Sequence, residues 1–95
     1  MSNVIKQAVS ALNDKVSGAG FEGSAKFFIE GEGSVVVDAN GVRASDDEAE
    51  VTLIATANVF QDIMAGDLDP TSAFMSGKLR IEGDMGTAMR LSGIL

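Results

Sequence analysis

The sequence predicts an α+β fold, a five-stranded sheet with helices packed on one face. Three observations carry that prediction. A helix-spaced apolar stripe opens the chain, four segments with strand character follow from Ala25 to Thr56, and a fifth strand pattern appears only after two short helical stretches. Strands in a run, interrupted by helices before the last one, suit a layered α+β arrangement.

Each element follows from its local pattern. Ile5, Ala8, Val9, Leu12 and Val16 recur at three- and four-residue steps, one face of a helix that starts near Val4 and ends near Gly18-Ala19-Gly20. Ala25, Phe27 and Ile29 alternate with Lys26, Phe28 and Glu30 as in a half-buried strand, and Gly31-Glu32-Gly33 supplies a turn. That glycine pair is no dinucleotide fingerprint, because the third glycine and the following helix are missing. A second strand runs through Val35-Val36-Val37. Asn40-Gly41 offers the two positive-φ residues of a tight hairpin turn into a third strand around Val42-Arg43-Ala44.

The acidic run Ser45-Asp46-Asp47-Glu48 reads as a solvated turn; it lacks the alternating ligands and central glycine of a calcium loop. The fourth strand separates Val51, Leu53 and Ala55 from Glu50, Thr52, Ile54 and Thr56. Asn58 with Gln61 resembles a capping box for a short helix that carries Val59, Phe60, Ile63 and Met64 and stops at Gly66. Asp69-Pro70 reads as a cap followed by proline at the first helical position, with Phe74 and Met75 inside and Gly77 after. Leu79 and Ile81 alternate with Lys78, Arg80 and Glu82 in the fifth strand. Asp84 caps a last helix bearing Met85, Ala88 and Met89. No linker or repeat interrupts this order, so residues 1–95 are expected to form one domain.

Composition removes several functions. Fourteen acidic residues against seven basic ones leave a net charge of −7, which repels phosphate backbones, so nucleic acid is not an expected partner. The chain has no cysteine and no histidine, hence no thiolate nucleophile, no sulfur-ligated metal and none of the commonest general base and metal ligand. A Ser-Lys hydrolase would need a desolvated lysine, and Lys78 alternates onto the wet face of its strand. The expectation is no enzyme activity, no metal and no cofactor. No stretch approaches the ~20 apolar residues of a membrane span, and the N-terminus has no signal-peptide pattern, so the expected location is the cytoplasm.

Phe60-Gln61-Asp62-Ile63-Met64-Ala65-Gly66, then Asp69-Pro70-Thr71-Ser72-Ala73-Phe74, then Gly77-Lys78-Leu79-Arg80-Ile81-Glu82-Gly83-Asp84-Met85-Gly86 together resemble the signature region of the sterol carrier protein type 2 family. Upstream the resemblance continues as the order of strands and glycine turns. It implies a five-stranded sheet with helices on one face, enclosing an apolar tunnel for a lipid ligand: fatty acyl, acyl-CoA, isoprenoid or sterol-like. It also implies transient contact with a membrane. The last residues Gly93-Ile94-Leu95 are not a Ser-Lys-Leu-type address, so a peroxisomal location does not carry over. A free-standing domain of this length is similar to bacterial members, some of which serve ubiquinone synthesis; an interaction subunit of such a complex is the alternative role, and a small hydrolase a further one.

Within this resemblance the ligand is expected to touch Phe60, Met64, Phe74, Met75, Leu79, Ile81, Met85 and Met89. Four of the five methionines fall between Met64 and Met89, and flexible, polarizable side chains suit a wall that fits ligands of varied shape. The segment from Met85 to Leu95 is expected to act as a lid over the cavity.

Overall fold

The computed structural model describes residues 3–16, 21–93 and 95; the expected helix end at Gly18-Ala19-Gly20, and Ile94 of the expected lid, lie outside the described residues. The elements run α1 (Asn3–Val16), β1 (Ala25–Ile29), β2 (Gly33–Asp38), β3 (Gly41–Ala44), β4 (Val51–Ala55), α2 (Ala57–Ala65), α3 (Pro70–Met75), β5 (Arg80–Gly83) and α4 (Met85–Ser92). The five strands form one sheet in the order β3-β2-β1-β4-β5.

Alternation decides which face each strand buries. Ala25, Phe27 and Ile29 of β1, Val35 and Val37 of β2, and Val51, Leu53 and Ala55 of β4 all turn to one side and form a single cluster with buried residues of every helix. α1 contributes Ile5, Ala8, Leu12 and Val16, the helix-spaced stripe read from the sequence. The helices thus share one face of the sheet, as the α+β expectation required.

Pairing is where the expectation needs correction. The meander holds from β1 to β3, but β4 does not continue it beyond β3; it lies parallel to β1, with Ala25 opposite Val51 and Ile29 opposite Ala55. Alternation fixes a strand's face and is silent about its neighbour. The chain from Ser45 to Glu50 therefore crosses the helix-free face of the sheet. Lys26 donates to the Asp46 carbonyl at 3.2 Å and its carboxylate at 3.3 Å, Ser34 donates to the same carboxylate, and the Glu50 N–H donates to the Ser24 hydroxyl at 2.9 Å. The acidic run is exposed, as read, but it is a strap and not a turn, tied to Lys26 of β1, Ser34 of β2 and Ser24 just before β1. Beneath its edge Val36, flanked in register by Lys26 and Arg43, is buried on the same outer face. Arg43 in turn lies 2.9 Å from the Asp38 carboxylate, and this hydrogen bond, with the Asn40 N–H, holds the Asp38 carboxyl below the usual range against an opposing desolvation.

Three local expectations also shift. Neither Ala39 nor Asn40 has positive φ; Gly41 alone takes it, at 115°, while the Asp38 side chain accepts from the Asn40 N–H, so the hairpin is closed by an Asx contact and not by a primed turn. The cap of α2 is Thr56, whose hydroxyl accepts from the Val59 N–H; Asn58 already lies inside the helix. The buried side of α4 is Thr87, Ala88 and Leu91, leaving Met85 and Met89 outside. Threonine holds a core position there because its hydroxyl is satisfied: Thr87 Oγ1 lies 2.6 Å from Asp84 Oδ2 and accepts from Arg90 at 3.2 Å. The Thr87 hydroxyl and N–H together keep the Asp84 carboxyl below its ordinary range. The caps Asp69 on α3 and Asp84 on α4, and the stop at Gly66 with φ 83°, stand as read.

Candidate functional site

Two apolar grooves open in the helical layer. The first, of about 280 Å³, runs between α1 and α2. α1 supplies Val4, Gln7, Ala8 and Ala11, the i, i+3, i+4 and i+7 positions of one helical stripe. α2 supplies Phe60, Gln61, Met64 and Ala65. Three alanines keep the two helices' side chains short enough to leave a trough. Phe60 is the buried link to the core beneath: its ring packs edge-on against Phe27 of β1 with centroids 5.1 Å apart.

The second groove, of about 230 Å³, lies where α3, β5 and α4 meet. Phe74, Ile81, Met85 and Met89 line it around Ala88, with Pro70, Thr71 and Ser92 at its rim. Pro70 and Asp69 set the start of α3, and Asp84 sets the start of α4, so the two capped helices fix the groove's width. α4 is docked by its Thr87, Ala88 and Leu91 side, which leaves its methionines free to face this opening.

The eight residues expected at the ligand therefore divide. Phe60 and Met64 belong to the first groove, and Phe74, Ile81, Met85 and Met89 to the second. Leu79 is buried in the core cluster and Met75, 81% exposed, lines neither groove. Phe74, Met75, Met85 and Met89 are all exposed, and three of them surround the second groove, making an apolar patch on α3 and α4. Gln7, Ala11 and Gln61 are wall residues that the sequence reading missed. For Gln7 and Ala11 the signal is the helical stripe through Val4, which continues past the apolar positions into small and amide side chains; Gln61, on α2, has no such signal.

Among the described residues no three acidic, histidine or cysteine side chains gather as a metal site, and no helix is long and apolar enough to cross a membrane. Neither groove has a charged residue in its wall.

The family model of the SCP-2 sterol transfer family matches residues 3–95. The chain belongs to that family. The hydroxysteroid dehydrogenase-like protein 2 of Xenopus laevis is 48% identical over 48 residues, which cover 50% of this SCP-2 chain and only 12% of that relative. The SCP-2 chain thus corresponds to about an eighth of the relative's length. Its fold matches the solution structure of sterol carrier protein 2 from Aedes aegypti in complex with a C16 fatty acid, palmitate, with a TM-score of 0.78 at 22% identity, over 98% of this chain and 94% of that one. It also matches a UbiJ-SCP2 ubiquinone synthesis protein with a TM-score of 0.57 at 19% identity, over 98% and 78% of the two chains. These neighbours establish the five-stranded α+β architecture.

Proposed function

We propose that the chain is a non-catalytic lipid-binding or carrier module, taking the apolar part of a fatty acyl, acyl-CoA, isoprenoid or sterol-like ligand into the groove between α1 and α2. One observation carries this: in a protein with 22% charged residues, the groove wall has eight residues and no charge, and it is backed by the hydrophobic core through Phe60 and Ala8. A surface of that kind gains little from water and about 25 cal/mol for each Å² of apolar area that a ligand covers. Phe60 and Met64 are the proposed contacts of the ligand chain. Family membership and the palmitate complex of the Aedes aegypti protein support the same reading. The proposed place of action is the cytoplasm, with transient contact at a membrane where the lipid is exchanged.

Titration with a panel of fluorescent fatty acids, acyl-CoAs and sterols should give saturable binding at about one ligand per chain. Ala11 is half-buried in the wall, so Ala11→Trp fills the trough with an indole without removing a core side chain. Affinity should fall at least about tenfold, the factor that 1.4 kcal/mol represents, with the circular dichroism spectrum unchanged. Unaltered binding in that variant counts against the groove. Thioesterase and esterase assays should show no turnover; a rate abolished by one Ser or Asp substitution would oppose the non-catalytic reading.

A second reading rests on the exposed patch of Phe74, Met75, Met85 and Met89, since apolar side chains gathered on a surface mark places that another molecule covers. Under it the chain is an interaction subunit of a lipid-handling complex, such as one for ubiquinone synthesis, as the UbiJ-SCP2 neighbour suggests by its name. A chain that binds no lipid in the titration but co-purifies with a protein partner, and loses it on Met75→Asp, would favour this role.

A further inference from the structure

We propose that the outer edge of β5 is where two copies of this chain join, the two β5 strands pairing antiparallel about a two-fold axis at Ile81. The proposal is independent of the lipid-binding reading, because the wall of the groove between α1 and α2 takes nothing from α3, β5 or α4.

β5 ends the sheet, with β4 on one side and, among the described residues, no strand on the other. The Asp84 N–H donates to the Glu50 carbonyl at 2.9 Å. Bonded and non-bonded pairs alternate along an antiparallel ladder, so the backbone groups of Glu82 and Arg80 turn toward β4 and those of Ile81 turn outward. An open edge is a template for another strand and is commonly guarded by charged side chains, above all lysine. Here the guard fails against one partner in particular. Arg80 and Glu82 flank Ile81 with opposite signs, and both are exposed. Laying the strand antiparallel on itself sets Ile81 beside Ile81 of the second copy, Arg80 opposite its Glu82 and Glu82 opposite its Arg80. The Arg80–Glu82 contact of 3.1 Å within one chain then joins a ring of four alternating charges. Opposite charges directly across a strand pair stabilise it, and like charges destabilise it.

The helical face gains from the same contact. Direct cross-strand neighbours share a face, so both Ile81 side chains lie on the side where Ile81 packs against the core and lines the second groove. Phe74, Met85 and Met89 of that groove are exposed in a single chain. Paired strands lie about 4.8 Å apart, which brings the two grooves together beside the axis and lets each apolar patch cover the other. Charge singles out this side as well. Up to Asp69 the chain carries twelve acidic and four basic residues, whereas from Pro70 onward it carries two acidic and three basic ones. Two chains of net charge −7 repel at long range, and they repel least with the segments after Pro70 face to face. A two-fold contact uses the same patch on both copies, so it closes at two chains.

Sedimentation equilibrium of the full chain from about 1 μM to about 1 mM should show the mean mass rising from one chain toward two and no further. Arg80→Glu and Glu82→Arg, both at exposed positions, should each weaken association at least about tenfold, because either one sets like charges across both sides of the axis. An equimolar mixture of the two single variants should regain the affinity of the unaltered chain, since every cross-strand pair is again of opposite sign. The double exchange, Arg80→Glu with Glu82→Arg in one chain, should self-associate like the original for the same reason. Circular dichroism checks that each variant folds. A chain that stays single up to about 1 mM, a dimer that neither single variant weakens, or a mixture that associates no better than its components would overturn the proposal.

Discussion

Replacing Gly83 by alanine should cost about 4 kcal/mol of stability, the sum of ~1–3 kcal/mol for a strained backbone and ~1–3 kcal/mol for overpacking. Gly83 has φ 110° and pairs with Val51 at the end of the sheet. A Cβ at this point would press on the Glu50 carbonyl oxygen and come within 3.0 Å of the Val51 Cα. Both obstacles are backbone, so no rotamer change relieves them. The same carbonyl accepts the Asp84 N–H at 2.9 Å, and Asp84 caps α4; the clash therefore pushes apart the strand end and the helix that follows it. Gly31 supplies the control. It has a positive φ of 79° but nothing within 4 Å of an added Cβ, so Gly31→Ala should cost only the backbone part, about 1–2 kcal/mol. Urea unfolding of both variants separates the two contributions. Equal losses would show that close approach at Gly83 plays no part.

Phe27→Ala should have a comparable effect, about 3–5 kcal/mol, because it removes one of the largest fully buried side chains and leaves a void on the helical face of the central strand. In a small domain whose whole stability is of order 5–15 kcal/mol, that brings the chain near unfolding at ordinary temperature. The variant should also bind lipid less well. Phe60, part of the groove wall, rests edge-on against the Phe27 ring and loses its support. Phe28→Ala, one residue along but on the opposite, half-open face, should change stability by no more than about 0.5 kcal/mol and leave binding alone. Chemical denaturation and titration with the fluorescent fatty acid, acyl-CoA and sterol panel measure the two effects. A Phe28 variant as damaged as the Phe27 variant would contradict the assignment of faces.

Elements were legible in the sequence wherever a local physical rule acts. The stripe from Ile5 to Val16, the alternation in β1 and β4, and the Asp69-Pro70 and Asp84 starts each depend on residues within one or two turns of each other. Strand pairing was not legible. That β4 lies beside β1 is a backbone pairing between segments 26 residues apart, Ala25 with Val51 to Ile29 with Ala55, which no periodicity announces. The α4 face was misread for a related reason: hydropathy favours Met85 and Met89 over Thr87, and the hydrogen bond to Asp84 that makes a buried threonine acceptable is invisible without coordinates. The candidate site was legible in part. Phe60 and Met64 border one groove and Phe74, Ile81, Met85 and Met89 another, but sequence alone could not divide them. Gln7 is marked only by its place on the α1 stripe through Val4, and Gln61 by nothing in its neighbourhood. They matter because two helices far apart in sequence set them across one trough.

The parallel pairing of β1 with β4 also sets a schedule for synthesis. Ala25 and its partner Val51 are 26 positions apart (51 − 25), with β2, β3 and the strap between them. At roughly 5–20 residues per second, a ribosome exposes β1 about one to five seconds before the strand that closes its second flank. The hairpins to β2 and β3 have partners during that interval, and the other edge of β1 does not. An open edge carrying Phe27 and Ile29 is a template for pairing with a neighbouring chain. Asp46, Asp47, Glu48 and Glu50 emerge immediately ahead of the missing strand, so four carboxylates that repel a neighbouring chain accompany the edge while it is bare.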